Sequence, residues 1–555
     1  MSLWCLGIHI GHDRGACLVN NGKVMVSIPQ ERLDGKKHSR AFALPYQAID
    51  AVMKYCDLTP KDIDSVGFSA DAVEVENIVC FFQKEFQFHY GCRLPFYPVD
   101  HHTAHAETAF AMSSSKKCLV LVADGGGDIF GEKAQAESLY LGANGELTLL
   151  EQRLQDPPKR KMSNMANHIY PFIPTGMRSQ EISIGRKYEQ ITYLLQFGFG
   201  EAGKTMGLAS YGKELLPNCV PNYKDLSFTL KYGDLLDEFY AKELCSGKDH
   251  FSFVSAEGKD LAYTIQRFTE DALVSLVKNL AKKYGIYKFC LSGGVFLNCL
   301  SNHKILEKAD IEDVRIFPAA GDDGQAIGCA LHVFRQRTQE NVKPQIHLPY
   351  LGLSYSDEFV EKHIKSKNIK AIRYSDKELV DKLADLIANG KIIGVFRGRT
   401  EVGPRALCHR SILADPTNPN MKDILNKRIK HREEFRPFAP VTTYEDQFNI
   451  FDLKADSPFM LLATTVKKEY QDIIPSVTHV DKTARVQAIK REEEPFLYAL
   501  LRRFEDIKGI PVLLNTSFNL AGQPIVELPD IAIQTFLRSS LDVLVLNNYL
   551  ICKEL

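Results

Sequence analysis

The sequence predicts an α/β protein built in two parts, and three observations predict it. A strand–turn–strand–turn–strand unit occurs twice up to Leu150. A polar break containing two prolines follows at Arg335–Gly352. After it, amphipathic helices and apolar strands alternate afresh. At about 150 residues per domain, 555 residues give three or four domain-sized units or two large ones.

The first unit opens with the apolar run LWCLGIHI, which ends in the turn GHDRGA. ACLV follows, then Asn20-Asn21-Gly22, then KVMVSI. The unit returns at KCLVLVADGGGD and AESLYLGANGELTLL, with its tight turn at Asn144-Gly145. Two such meanders, each with a polar or glycine-rich first turn, predict a duplicated ribonuclease-H-like fold, the actin-like and sugar-kinase-like architecture. Two unrelated hairpins are the plainer alternative. Between the copies, Pro45–Tyr55 has a helical period with Ile49, Val52 and Tyr55 on one face. A long amphipathic helix is expected from about Ala262 to Tyr284, stopped by Gly285. The strand IYKFCL leads into Ser292-Gly293-Gly294 and a helix from about Val295. Past the break, Ser375 and Glu378 form a capping box for a helix that Gly390 ends. KIIGVF, IPVLLN and LDVLVL read as strands of an α+β part. The expected division is 1–345 and 346–555, with Arg335–Gly352 as the linker.

Composition narrows the function classes. Sixty-eight Lys and Arg against 69 Asp and Glu give 68 − 69 = −1, which excludes a protein that coats nucleic acid by bulk charge. Nucleic acid is therefore not an expected partner. Apolar residues at 45% and charged residues at 25% are ordinary for a globular chain, and 10% aromatics exclude compositional disorder. None of the thirteen cysteines forms a CxxC pair, so the expectation is reduced thiols in a cytoplasm rather than a disulfide or zinc framework. MSLWCLGIHIGHDRG lacks a basic leader and reads as a first strand, not a signal peptide. No uncharged apolar stretch reaches the roughly 18 residues that a membrane helix needs.

Three constellations carry chemistry. In DHHTAHA, a helix would put His101 and His105 four apart on one face, a spacing that lets two imidazoles share a metal. Asp124 and Asp322 sit at turns after apolar strands, and two His with two Asp suit a divalent transition metal such as iron. Two histidines that merely pack in a core have the same spacing. The second constellation is glycine-rich: Asp124-Gly125-Gly126-Gly127-Asp128, Met206-Gly207-Leu208-Ala209 and Ser292-Gly293-Gly294. Such turns let backbone N–H groups approach a nucleotide's phosphates, although each alone is equally a tight turn. The third is the densest. Arg397, Arg399, Arg405, Arg410, Lys427, Arg428, Lys430, Arg432 and Arg436 are interleaved with Gly403-Pro404 and with Phe435, Pro437, Phe438 and Pro440. Guanidinium groups grip phosphate bidentately, so the set reads as an anion pocket, with Arg485 and the Asn515–Asn519 loop closing it. A solvated charged face and an RNA patch are the alternatives.

With these residues in place, nearly the whole chain resembles the O-carbamoyltransferases of the NodU/CmcH family, enzymes that carbamoylate hydroxyls of antibiotics, toxins and nodulation signals. The strings that carry the resemblance are His12-Asp13, Glu31-Arg32 with Lys36-Lys37-His38, MGLASYG, LSGGVFLN, EVGPRALCHRSILADP, IKHREEFRPFAP, TARVQ and NTSFN. Arg14-Gly15 replaces small residues after His-Asp, and Cys408 stands where glycine is usual. The resemblance implies a C-terminal YrdC-like domain that makes carbamoyl adenylate from carbamoyl phosphate and ATP with Mg(II). It implies an N-terminal domain, similar to the tRNA threonylcarbamoyl transferase, that moves the carbamoyl group to a small hydroxylated acceptor. His101, His105, Asp124 and Asp322 fall on the family's metal ligands, with Fe(II) expected. Lys37, Gly126, Gly127, Gly207, Gly293, Gly294 and Asn298 are expected at the nucleotide or carbamoyl adenylate. Arg405, Lys430, Arg436, Arg485, Asn515 and Ser517 are expected at carbamoyl phosphate. His12 is expected to act as general base toward the acceptor hydroxyl. A threonylcarbamoyl-type tRNA-modifying enzyme is the alternative; it would show a basic surface and divide its two parts between chains.

Overall fold

The computed structural model describes residues 2–71, 73–155, 182–198, 200–215, 223–227, 251–338 and 345–553. The architecture is mixed α/β, with three sheets among the described residues. In the first sheet the strands are β1 (Trp4–Ile10), β2 (Gly15–Asn20), β3 (Lys23–Pro29), β4 (Ser65–Ala70) and β5 (Phe96–Pro98), in the order β3-β2-β1-β4-β5. β1, β2 and β3 are antiparallel neighbours, while β4 runs parallel to β1 and β5 parallel to β4. In the second sheet β6 (Lys117–Ala123), β7 (Ile129–Phe130), β8 (Lys133–Ala143), β9 (Glu146–Gln155), β10 (Lys288–Ser292) and β11 (Asp313–Ile316) repeat that plan. β6, β8 and β9 form the antiparallel meander, and β10 and β11 add in parallel to β6.

The period of two along these strands decides what each face meets. Leu6, Ile8 and Ile10 of β1 join a core with Ala48, Ile49 and Val52 of helix Tyr46–Tyr55 and Phe82 and Phe86 of helix Val75–Tyr90. Cys5 points the other way, into a core with Ile327, Cys329 and Ala330 of helix Gln325–Thr338. On β6, Leu119 and Leu121 meet Leu273, Leu276 and Leu280 of helix Ala256–Tyr284. Its other face, Val120 and Val122, meets Ala106, Ala109 and Phe110 of helix His101–Phe110. Helices His101–Phe110 and Gln325–Thr338 therefore lie between the two sheets. Glycine lets them come close. An added Cβ would fall 1.8 Å from Ala326 O at Gly7, 2.2 Å from Cys329 O at Gly67 and 1.8 Å from Ala104 O at Gly328.

The third sheet has nine strands in the order β12-β20-β19-β13-β14-β18-β15-β17-β16. These are β12 (Ile372–Arg373), β13 (Ile393–Phe396), β14 (Arg410–Ala414), β15 (Ala439–Thr443), β16 (Leu462–Thr465), β17 (Thr483–Ile489), β18 (Val512–Ser517), β19 (Val543–Leu546) and β20 (Tyr549–Cys552). Helices Asp376–Ala388 and Pro495–Lys508 bury Leu379, Leu383, Leu500 and Phe504 in its core. The expected capping box is present, with Ser375 and Glu378 bonded reciprocally. No helix among the described residues is long and apolar enough to cross a membrane.

Three boundaries differ from the sequence expectation. The helix expected from about Val295 begins at Cys299, capped by Asn298, after the single 3₁₀ turn Gly294–Leu297. The long helix starts at Ala256, not Ala262, because Ser255 caps it through Gly258 N, and Glu257-Gly258-Lys259-Asp260 shows no apolar period. The expected linker is partly helical: helix Gln325–Thr338 includes its first four residues, held by Arg335 on the buried Glu107. Residues 339–344 of that linker lie outside the described residues. The remainder is packed, since Ile346 N donates to Ala111 O (2.9 Å) and Ser27 N to Leu351 O (2.8 Å).

The close seating of helix Gln325–Thr338 makes a direct prediction. Gly328→Ala forces backbone apart and should destabilise the protein by about 1–3 kcal/mol or more. Gly203→Ala, where an added Cβ meets nothing within 4 Å, should be neutral or gain up to about 1 kcal/mol. Denaturant unfolding of both variants checks this, and an unchanged midpoint for Gly328→Ala would contradict the packing.

Candidate functional site

The site is assembled where strands end. Asp124 follows β6, and Asp322 opens the short turn Asp322–Gly324 that runs into helix Gln325–Thr338. Asp100 caps helix His101–Phe110, its side chain accepting from Thr103 N (2.8 Å), and sets the helix phase that turns His101 and His105 inward. His105 Nε2 lies 3.0 Å from Asp124 Oδ2 and 3.1 Å from Asp322 Oδ1. His101 Nε2 lies 3.6 and 3.4 Å from the same two oxygens. One donor atom from each of the four residues falls within 4.8 Å of the others. Burial would strip the charge from every one of these groups, and their mutual contacts outweigh it. Both imidazoles are raised by the two carboxylates, and Asp322 is held well below the usual carboxylate range by His12 and His101. His101 Nε2 is buried without a hydrogen-bond partner. Two imidazoles and two carboxylates, with one nitrogen unsatisfied, are a donor set that fits a divalent cation better than a closed hydrogen-bond network.

His12 stands beside this cluster. Its Nε2 is 3.2 Å from Asp322 Oδ2 and its Nδ1 is 3.3 Å from Asp13 Oδ2. Asp71, at the end of β4, accepts the His12 backbone N–H at 2.6 Å. The Asp13 turn is held in turn by His38, whose Nδ1 lies 2.8 Å from Asp13 Oδ1. The His12 side chain is 30% exposed, so a ligand can reach it.

The glycine turns serve different ends. An added Cβ at Gly293 (φ +96°) would fall 2.1 Å from Ala123 O, and one at Gly294 3.2 Å from Asp124 Oδ1, so this turn clears the end of β6. Gly127 makes room for Gln135 and His102, and Gly126 for Gln155. Gly207 faces Pro437 and Phe435 of the C-terminal part. Asn298 caps helix Cys299–Lys308 and donates to Gln266 Oε1 at 2.9 Å. Lys37 is exposed, and its charge reaches Glu201 rather than the metal-ligand cluster. Two residues that the sequence reading missed lie at the cluster's mouth on helix Ile184–Leu194. Arg186 Nε donates to Gly125 O at 3.2 Å, and its charge is felt with that of Asp124. The Glu189 carboxyl is pushed up by burial, against the fields of Arg186 and His12. In sequence the two look like an ordinary i, i+3 surface pair.

The arginines gather at the seam between the parts. Arg405 is pushed down to about 9 by burial and then by Arg485 and Arg436, and it feels Cys299 and Asp323 from the N-terminal side. Arg432 is likewise pushed down to about 9, by burial and by Arg436 and Arg485. Lys430 is buried, and its Nζ donates to Ser517 Oγ (3.3 Å) and Asn519 Oδ1 (2.8 Å). Arg436 lies 3.8 Å from Glu433, but the cations outnumber the carboxylates around them, and such a concentration calls for an anion. Asn515 does not face them: its Nδ2 donates to Gln487 Oε1 (2.9 Å) and Ala406 O (3.3 Å), tying the Arg405 loop to the sheet. Arg410 also turns away, buried over the Phe396 ring with its guanidinium on the carbonyls of Arg397 and Gly398. Cys408 has φ +91°, a region that costs a residue with a side chain about 1–2 kcal/mol. Around the seam, Lys204 pairs with Glu433 (2.8 Å) and Arg32 Nη2 donates to Gly403 O (2.9 Å).

Comparison with known proteins places both groups of residues within matched family segments. Family models described as carbamoyltransferase N-terminus and carbamoyltransferase C-terminus match residues 84–331 and 384–553. The uncharacterised protein sll1178 of Synechocystis is 31% identical over 98% of this chain and 95% of its own length. Nodulation protein NolNO of Sinorhizobium fredii is 30% identical over 98% of this chain and 79% of its own length. The 3'-hydroxymethylcephem-O-carbamoyltransferase of Amycolatopsis lactamdurans is 33% identical over 43% of each chain. Among solved structures, HypF of T. kodakarensis covers 61% of this chain and 49% of its own at 16% identity and a TM-score of 0.41, a likeness too slight to build on. The matched segments take in both the histidine–aspartate cluster and the arginine seam, and with a relative alike over almost its full length they make this chain a member of the carbamoyltransferase family, an enzyme that handles a carbamoyl group.

Proposed function

We propose that the chain is an ATP-dependent O-carbamoyltransferase that works in two stages. In this reading the first two sheets are duplicated ribonuclease-H-like halves forming a transfer domain over 1–345, and the nine-stranded sheet is a YrdC-like domain over 346–555. The C-terminal stage takes carbamoyl phosphate, ATP with Mg(II) and water to carbamoyl adenylate, pyrophosphate and phosphate. The N-terminal stage passes the carbamoyl group to a hydroxyl of a small acceptor and releases AMP. Adenylation suits such a transfer, because AMP is a good leaving group that the protein can hold by its nucleotide. The observation that carries the reading is the pair Asp322-Asp323. Asp322 belongs to the histidine–aspartate cluster, and the charge of its neighbour Asp323 is felt at Arg405. The Arg405 loop packs just before the turn Asp322–Gly324, where a Cβ added at Gly403 would fall 2.7 Å from Pro318 O, so the two charged groups adjoin.

Arg405, Lys430, Arg436, Arg485 and Ser517 are assigned to carbamoyl phosphate. Their guanidinium, ammonium and hydroxyl donors match a dianion, and burial strengthens each contact. Asn515 supports that loop from below. Lys37 and the turns containing Gly126, Gly127, Gly207, Gly293 and Gly294, with Asn298, are assigned to the adenylate. His101, His105, Asp124 and Asp322 would hold one divalent metal, taken as Fe(II), whose chemistry is to polarise a carbamoyl or phosphate oxygen. His12 accepts the acceptor's hydroxyl proton at Nε2, with Asp13 fixing the ring through Nδ1. Against burial, Asp71 first, then Asp322 and Asp13, favour a proton on this ring and raise it, so ligation of Asp322 to a metal would make the ring more available as a base.

Three measurements test these roles. Arg436→Ala and Arg485→Ala should each lose a charged contact worth about 1.5–3 kcal/mol and slow pyrophosphate release from ATP and carbamoyl phosphate; unchanged release would refute the pocket. The double variant His101→Ala/His105→Ala should lose the metal held by this ligand set and carbamoyl transfer while still releasing pyrophosphate, and metal content equal to the wild type by elemental analysis would overturn the ligand set. His12→Asn should slow single-turnover transfer from preformed carbamoyl adenylate by about 10²–10⁴. Transfer at the wild-type rate would make His12 structural.

A further inference from the structure

Two donor atoms buried beside the histidine–aspartate cluster, on His9 and Asp71, have no part in the metal, nucleotide and phosphate roles assigned above. His9 is the penultimate residue of β1 and is fully buried. Its Nδ1 is bonded to Ser69 Oγ at 2.8 Å, and Ser69 is itself held by Cys329 Sγ (3.1 Å). That contact fixes the ring and turns Nε2 toward Asp71 Oδ1, 3.1 Å away. Neither Nε2 nor Oδ1 makes a hydrogen bond. Asp71 uses its other oxygen for the His12 backbone N–H, which leaves Oδ1 for this space. Asp322 closes the group: donor atoms of His9, Asp71 and Asp322 all lie within 4.8 Å of one another. Asp322 therefore belongs to two donor sets. Its Oδ1 faces His101 and His105, and its Oδ2 faces His12.

We propose that His9, Asp71 and Asp322 form a second divalent-cation site, so that the centre holds two metals with Asp322 shared between them. The inference rests on the reading of His101, His105, Asp124 and Asp322 as the first site. Imidazole nitrogen with carboxylate oxygens suits a first-row transition cation. The Ser69 contact on the far nitrogen is the kind of outer support that orients a ligating histidine. A shared carboxylate is compatible with the separation of about 3.5–4 Å usual for two-metal sites, in which one ion serves the attacking oxygen and the other the oxygen of the group being transferred. The second site adjoins the His12 turn, so its ion would meet the acceptor's hydroxyl oxygen. The rival account is that His9 merely props Asp71 under that turn, and it requires no second ion.

Metal counting separates the two. Full-length protein is stripped with a chelator, reloaded with Mn(II), freed of excess by gel filtration, and examined by elemental analysis and electron paramagnetic resonance. The wild type should hold about two Mn(II) per chain with a spin-coupled spectrum. His9→Gln and Asp71→Asn should each hold about one, with the spectrum of an isolated ion. Asp71→Asn is the deciding variant if His9→Gln does not fold. One uncoupled Mn(II) in the wild type would overturn the second site and leave the first intact, whereas no bound Mn(II) would overturn the reading on which both rest. Two Mn(II) retained by both variants would place the second ion elsewhere and refute this ligand set.

Discussion

Helix Gln325–Thr338 lies in backbone contact with β1 and β4 on one side and with helix His101–Phe110 on the other, and glycine is what permits it. Gly7 and Gly67 bring the first sheet onto Ala326 and Cys329, and Gly328 brings the helix onto Ala104. The turn that precedes this helix carries Asp322, and helix His101–Phe110 carries both imidazoles. Their contact at 3.1 Å is therefore set by how closely two helices cross between two sheets. A single methyl group at the crossing would clash with backbone and push the two helices apart, disturbing that contact. Close-packed interiors transmit such displacements rather than absorb them.

Charge is arranged on either side of the same turn. On the N-terminal side, buried carboxylates and imidazoles satisfy one another only in part, as the orphaned His101 Nε2 shows. On the C-terminal side, Arg405, Arg432, Arg436, Arg485 and Lys430 repel one another with few carboxylates nearby. Neither arrangement is a comfortable resting state for an empty protein, since burying charge without full compensation is costly. One wants a cation and the other an anion. That complementarity suits an enzyme in which phosphate-bearing substrates and a metal are handled in adjoining spaces.

Much of the fold was legible in the sequence. The two meanders, the capping box at Ser375 and the i, i+4 spacing of His101 and His105 depend on local pattern, and each appears in the structure. Asp124 and Asp322 were legible as carboxylates at strand ends, a position the period of two makes conspicuous. What was hidden is non-local. Nothing near Gly7, Gly67 or Gly328 in the chain announces a partner backbone far away in sequence. Asp71 follows β4 as Asp124 follows β6, yet it lies in no glycine-rich or histidine-rich string. Arg186 and Glu189 look like a solvated helix pair until the helix is docked over Gly125. The Arg335–Gly352 break misled in part because polar residues ending a helix and polar residues in a loop share one composition, and only the buried Glu107 tells them apart.

The central claim is that ATP-driven activation and hydroxyl carbamoylation occur in this one chain. Mass spectrometry of the products formed from ATP, carbamoyl phosphate and a panel of hydroxylated metabolites tests it most directly. The account predicts AMP, pyrophosphate and an acceptor heavier by one carbamoyl group on oxygen, all dependent on ATP. Carbamoylated product formed equally without ATP, or ADP in place of AMP, would contradict it.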